Sequence, residues 1–163
     1  ATALIFDVRY NGGGYANEMN KVLDYLLPEG DLFHGEDYTG RVIVEKSDSN
    51  HLDIPMAVLV NSGSYSAAEF FAAALQEYEA AVVLGEKTSG KGFYQNTFRL
   101  TDGSAVALSV GKYFTPNGNS LEGVGIMPDI CVEVDAETAS AIYYGTLDAM
   151  EDPYILKALE ILK

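Results

Sequence analysis

The chain is poor in cysteine, in histidine and in positive charge. Its single cysteine, Cys131, rules out a disulfide within the chain. Cys131 lies in the apolar-alternating stretch Ile130-Cys131-Val132-Glu133-Val134 and reads as a small core side chain, not a reactive thiol. The only histidines, His34 and His51, have no cysteine or histidine neighbour at metal-ligand spacing. Both read as exposed loop residues, and no metal is expected. Ten basic residues stand against 24 acidic ones, a net charge of −14. That balance argues against nucleic acid and against anionic membrane surfaces as partners. The acidic excess reads as a well-solvated surface. No apolar run approaches the roughly 18 residues of a membrane span. The opening residues, Ala1-Thr2-Ala3-Leu4-Ile5-Phe6, read as a strand already under way, without an initiator methionine or signal peptide. The chain is therefore expected to be an excised or processed part of a longer protein.

At 163 residues, 48% apolar and 21% charged, the chain is expected to form one domain over residues 1–163. Short apolar runs at Leu4 to Val8, Met56 to Val60 and Ala81 to Leu84 read as buried strands. Val42 to Val44 reads as a further short strand, and Lys46 to Asp53 as loop. Helical spacing covers Ala16 to Leu27 (through Met19, Val22, Leu23 and Leu26) and Ser66 to Tyr78. Thr97 to Leu100 and Ala105 to Val110, joined through Thr101-Asp102-Gly103-Ser104, give a hairpin. Tyr113 to Thr115 and Ile130 to Val134 are the last strands. Ala136 to Met150 and Tyr154 to Leu162 read as helices, the second with Pro153 at its start. Strands alternating with helices predict an α/β layer structure.

Three segments carry chemistry. In Asn61-Ser62-Gly63-Ser64-Tyr65-Ser66-Ala67-Ala68-Glu69, Ser66 stands between a buried strand and a helix, where α/β folds place ligands. There a serine can expose its hydroxyl, and the Ala67 amide can face a developing oxyanion. The plainer reading is an N-cap, with Glu69 completing a capping box. In Gly90-Lys91-Gly92, a lysine flanked by glycines precedes Gln95 by four residues. A lysine serves as general base only when neutral, which burial or a nearby cation favours, and a glutamine can orient it. The plainer reading is a turn lysine in water followed by a strand glutamine; Lys87 is a competitor. The turn Asn11-Gly12-Gly13-Gly14 permits close backbone approach to a ligand or is simply a tight turn. It has neither dinucleotide-binding nor P-loop spacing. A serine–histidine pairing through His34 or His51 is the main competitor to serine–lysine.

Taken together, these segments resemble the C-terminal processing, or tail-specific, serine proteases. Ile5 to Gly14 looks like the family's Asp-Leu-Arg-x-Asn-x-Gly-Gly block. Val58 to Glu69 resembles its nucleophile block and Gly85 to Gln95 its lysine block. Tyr113 to Gly118, with Gly123 to Asp129, resembles the block that follows. The resemblance covers roughly residues 3 to 134. It implies an α/β core akin to the spiral of strands and helices in Clp protease and crotonase. It implies Ser66 as nucleophile, Lys91 as general base, Gln95 as the residue positioning Lys91, and the amides of Gly14 and Ala67 as the oxyanion hole. The implied substrate is a protein or peptide cut near its C-terminus, through an acyl-enzyme, with no cofactor and no metal. Bacterial relatives imply an extracytoplasmic location, in the cell envelope or secreted, and partner subunits could build a homo-oligomer. The chain differs in having Tyr65 inside the nucleophile block, and the PDZ module and N-terminal part of the protease unit of many relatives are expected to fall outside this stretch. The alternatives are a non-catalytic ligand-binding module of the same fold and, more distantly, a crotonase-like acyl-thioester enzyme.

Overall fold

The computed structural model describes residues 1–163. In chain order the elements are β1 (Leu4–Asp7), α1 (Ala16–Leu26), β2 (Gly30–Asp37), β3 (Val42–Ser47), β4 (Met56–Val60), α2 (Ala67–Glu77), β5 (Ala81–Gly85), β6 (Phe93–Arg99), β7 (Ala105–Phe114), β8 (Ile130–Cys131), α3 (Ala136–Tyr143) and α4 (Pro153–Ile161). They form two four-stranded sheets, ordered β1-β4-β5-β8 and β3-β2-β7-β6. The first is parallel and the second antiparallel. This is the α/β architecture expected from the alternation of strands and helices.

The unbroken apolar run Met56 to Val60 explains why β4 sits inside the parallel sheet. All five residues are buried, so both faces of the strand are covered. Met56, Val58 and Val60 join the main core with α1, α2 and the buried residues of β2. Ala57 and Leu59 face the other way, onto Tyr154 and Ala158 of α4. The parallel register sets Asp7 beside Leu59. The chain therefore leaves β1 and β4 at the same edge, and the glycine turn and the Ser66 loop emerge side by side.

Several expectations are corrected. Gly30–Asp37 forms a strand although its sequence is largely polar; β3 and β7 pair with it on either side, and only Leu32, Phe33 and Gly35 are buried. His34 consequently lies in a strand, 3.2 Å from Asp31, and not in a loop. Lys46 and Ser47 continue β3. β6 begins at Phe93, and β7 runs unbroken through the two stretches expected as separate strands. The third helix stops at Tyr143, where Gly145 takes the left-handed conformation (φ 65°) that ends helices. Cys131 is exposed, because β8 is a two-residue edge strand with a single partner. Val22 also lies outside the core, at 47% exposure.

Candidate active site

Ser66 is the residue before α2, and its backbone is strained, with φ 59° and ψ −129°. These are the angles of the first central position of a type II′ turn, which favours glycine. A non-glycine residue held there costs about 1–3 kcal/mol and persists only where its surroundings impose it. The Ser66 hydroxyl makes no capping hydrogen bond, so the capping-box reading fails. Ser64 does the local work instead. It is fully buried; its hydroxyl donates to the Val8 carbonyl at 2.7 Å and accepts from the Asn61 amide at 3.1 Å. Asn61, also buried, accepts from the amides of Tyr10 (2.9 Å) and Gly63 (3.0 Å). These bonds tie the loop at residues 61–66 to the glycine turn.

Within that turn Gly13 makes the close approach. Its φ is +83°, and a Cβ there would lie 2.7 Å from the Ala67 nitrogen and 2.9 Å from Ser66 Cβ. Gly14 faces open space. Its N–H has no hydrogen-bond partner, and the Ala67 N–H is one of those a helix start leaves without an intrahelical acceptor. Gly14 and Ala67, with these unpaired N–H groups, line the same cleft as Ser66.

The lysine loop is held by a carboxylate. Glu69, fully buried on α2, accepts the Gly90 N–H at 2.7 Å, the Lys91 N–H at 3.0 Å and the Thr88 hydroxyl. Glu122 accepts the Gly92 N–H at 2.7 Å. The Tyr113 phenol donates to the Lys91 carbonyl. Burial pushes that phenol well above the usual tyrosine range, and the Glu69 charge adds to it; a polar contact with Ser66 acts in the opposite direction. The Lys91 ammonium lies 5.7 Å from the centre of the Tyr65 ring and forms no ion pair.

Ser66, Ala67, Gly14, Lys91 and Gln95 all line one cleft of about 600 Å³, between the start of α1 and the antiparallel sheet. Gln95 sits in its wall at a bulge of β6, with an exposed side chain. No hydrogen bond joins Ser66 Oγ to Lys91 Nζ, or Lys91 to Gln95. His34, His51 and Lys87 lie outside the cleft lining. No group of three or more His, Cys, Asp or Glu side chains is arranged to hold a metal ion. The sequence does not signal a site role for Glu69 or Tyr113, and of the glycine turn it does not single out Gly13 as the residue that packs against Ser66. Glu69 was visible three residues after Ser66 but looked like a cap, and Tyr113 looked like a strand aromatic.

The model of Peptidase family S41 matches residues 1–132. The chain belongs to peptidase family S41. This S41 chain is 39% identical, over 136 residues, to the chloroplastic C-terminal processing peptidase of Tetradesmus obliquus, a match covering 82% of the chain and 29% of the relative. It is 38% identical to the carboxyl-terminal-processing protease of Synechocystis, covering 82% of the chain and 31% of that protein. The chain therefore spans about a third of the length of these curated relatives. Among solved structures it is similar to the photosystem II D1 C-terminal processing protease, with a TM-score of 0.73 and 37% identity over 82% of the chain and 35% of that structure. The S41 fold anticipated from the four sequence blocks is present. No helix is long and apolar enough to cross a membrane.

Proposed function

We propose that this chain is the catalytic core of a serine endopeptidase that cuts protein or peptide substrates near their C-termini. The observation carrying this reading is Ser66: a strained residue at a helix start, its hydroxyl free of capping duty, in one cleft with Lys91. In the proposed reaction, Lys91 swings on its flexible stem from the Tyr65 ring onto Ser66 Oγ and, while neutral, takes the hydroxyl proton. The Ser66 oxygen attacks the scissile carbonyl. The oxyanion rests on the N–H groups of Gly14 and Ala67. Lys91 then returns the proton to the leaving amine as the C–N bond breaks. Water hydrolyses the acyl-enzyme, and its proton passes back through Lys91 to Ser66. Gln95, on the cleft wall, orients Lys91 during these transfers. The extracytoplasmic location is proposed on the family resemblance.

The test uses the full-length protein and an unfolded protein substrate. Ser66→Ala and Lys91→Ala are each expected to abolish cleavage with folding retained. A fluorophosphonate should label Ser66 in the wild type. If Lys91→Ala stays active while His34→Ala or His51→Ala does not, the serine–lysine assignment is wrong. An unlabelled Ser66 in a folded full-length protein would favour the ligand-binding module instead.

A further inference from the structure

Residues 133–163 lie beyond the stretch that the family model matches, yet they grip the turn that carries Gly13 and Gly14. Asp152, the buried N-cap of α4, takes both terminal nitrogens of Arg9, at 3.1 and 2.8 Å. The Arg9 side chain is only 4% exposed and also pairs with Asp7 at 2.6 Å. Its guanidinium stacks on the Tyr154 ring, 4.8 Å from the centroid. From α3, Tyr143 meets the Tyr10 ring edge-on at 5.0 Å, and the Tyr10 phenol reaches the Ala139 carbonyl at 3.4 Å. Arg9 and Tyr10 open the turn, and Tyr10 itself has φ 57°. The turn is thus held from two sides, by Asn61 of the nucleophile loop and by the C-terminal helices. A planar guanidinium with fixed donors sets direction as well as charge, so its carboxylate partners fix where the backbone next to it runs.

We propose that the C-terminal segment is a positioning brace for the oxyanion turn: Asp152 through Arg9, and Tyr143 through Tyr10, hold the Gly14 amide in its place beside Ser66. The inference rests on the proposed peptidase reading. Asp152→Asn removes the charge while keeping the side-chain shape and a good N-cap residue. Tyr143→Ala, at a residue 60% exposed, loosens the same turn without touching a buried charge. In the full-length protein, the rate of Ser66 labelling by a fluorophosphonate reports the oxyanion site, because the phosphonyl oxygen occupies it. Asp152→Asn is expected to slow labelling and lower kcat about tenfold, with KM changed less than about threefold, a part of the roughly hundredfold that loss of a whole donor costs. Tyr143→Ala should slow labelling about threefold, by the same displacement on a smaller scale. Circular dichroism checks that each variant is folded; if Asp152→Asn is not, Tyr143→Ala decides alone. Wild-type labelling rates in the folded variants would overturn the brace and leave the peptidase reading standing. A wild type that is not labelled at all would overturn both.

Discussion

The carboxylate of Glu69, fully buried in α2, accepts the backbone N–H of Lys91 at 3.0 Å. Through this bond and the neighbouring one from Gly90 (2.7 Å), the helix that begins at Ser66 also fixes the loop that carries the lysine. The two halves of the proposed site therefore cannot drift apart independently. On the other side of Lys91, Gly92 packs against Glu122: a Cβ there would lie 2.7 Å from the Glu122 nitrogen.

Glu69→Gln should expose how much depends on that carboxylate. The amide keeps the volume but turns one acceptor into a donor, which then faces other donors. A buried group left unsatisfied costs about 1–3 kcal/mol, more where a charge is involved. We expect a destabilisation of at least about 2 kcal/mol in urea unfolding, with Ser66→Ala/Glu69→Gln showing the same loss as Glu69→Gln alone. An unfolding midpoint equal to wild type would mean that the lysine loop holds its shape without Glu69.

The strain at Ser66 gives a second expectation, independent of activity. Since the hydroxyl caps nothing, Ser66→Ala loses no cap and should melt close to the wild type. Ser66→Gly removes the steric cost of φ 59° and, at an N-cap, glycine is tolerated. Against this stands glycine's greater chain entropy when unfolded, about 0.5–1 kcal/mol. The strain term of about 1–3 kcal/mol is the larger, so Ser66→Gly should be more stable than Ser66→Ala by about 1 kcal/mol. If the order is reversed, the backbone there is relaxed.

The sequence made the parallel sheet legible because β4 and β5 are apolar runs buried on both faces, a pattern that does not depend on distant partners. It also made the family's motif residues legible, and the fold brings Ser66, Ala67, Gly14, Lys91 and Gln95 to one cleft. It concealed β2, whose polar residues become a strand only through pairing with β3 and β7. Glu69 was misread for a related reason. Three residues after a serine at a helix start, a capping glutamate and a buried clamp have the same local sequence; only the approach of Thr88, Gly90 and Lys91 from another part of the chain separates them. The family resemblance singles out Gly14, but that Gly13 is the one packed against Ser66 follows only from the approach of the neighbouring loop.

Those two glycines should behave differently. Gly13→Ala combines φ +83° with a Cβ 2.7 Å from the Ala67 nitrogen and 2.9 Å from Ser66 Cβ. The obstacle is backbone, which does not yield cheaply. We expect a loss of about 2 kcal/mol or more and loss of fluorophosphonate labelling in the full-length protein. At Gly14 nothing lies within 4 Å of the added carbon. Gly14→Ala should leave stability within about 0.5 kcal/mol, so any fall in labelling there reports the cleft itself. Equal melting temperatures for the two variants would contradict the close approach of Gly13 to Ser66.

Alkaline pH should weaken the fold through Tyr113. Burial first, then the Glu69 charge, pushes its phenol above the usual tyrosine range, and the phenol is needed as donor to the Lys91 carbonyl. A group with a raised folded pKa contributes its full stability below the unfolded value, about 10 for tyrosine. As pH rises past that value the unfolded chain loses its proton first. Unfolding then becomes easier by up to about 1.4 kcal/mol per pH unit for each such phenol, until the folded pKa is passed. Tyr154, raised by burial and then by Glu86, adds to the effect. Tyr113→Phe should be about 1 kcal/mol less stable at pH 7, from the lost hydrogen bond. Its stability should then fall less steeply between about pH 10 and 11.5, because one of the phenols with a raised pKa is gone while Tyr78, Tyr94 and Tyr154 remain. Urea unfolding at half-unit pH steps measures both. Parallel curves for the variant and the wild type above pH 10 would mean that Tyr113 titrates as an ordinary exposed tyrosine, at odds with its 4% exposure.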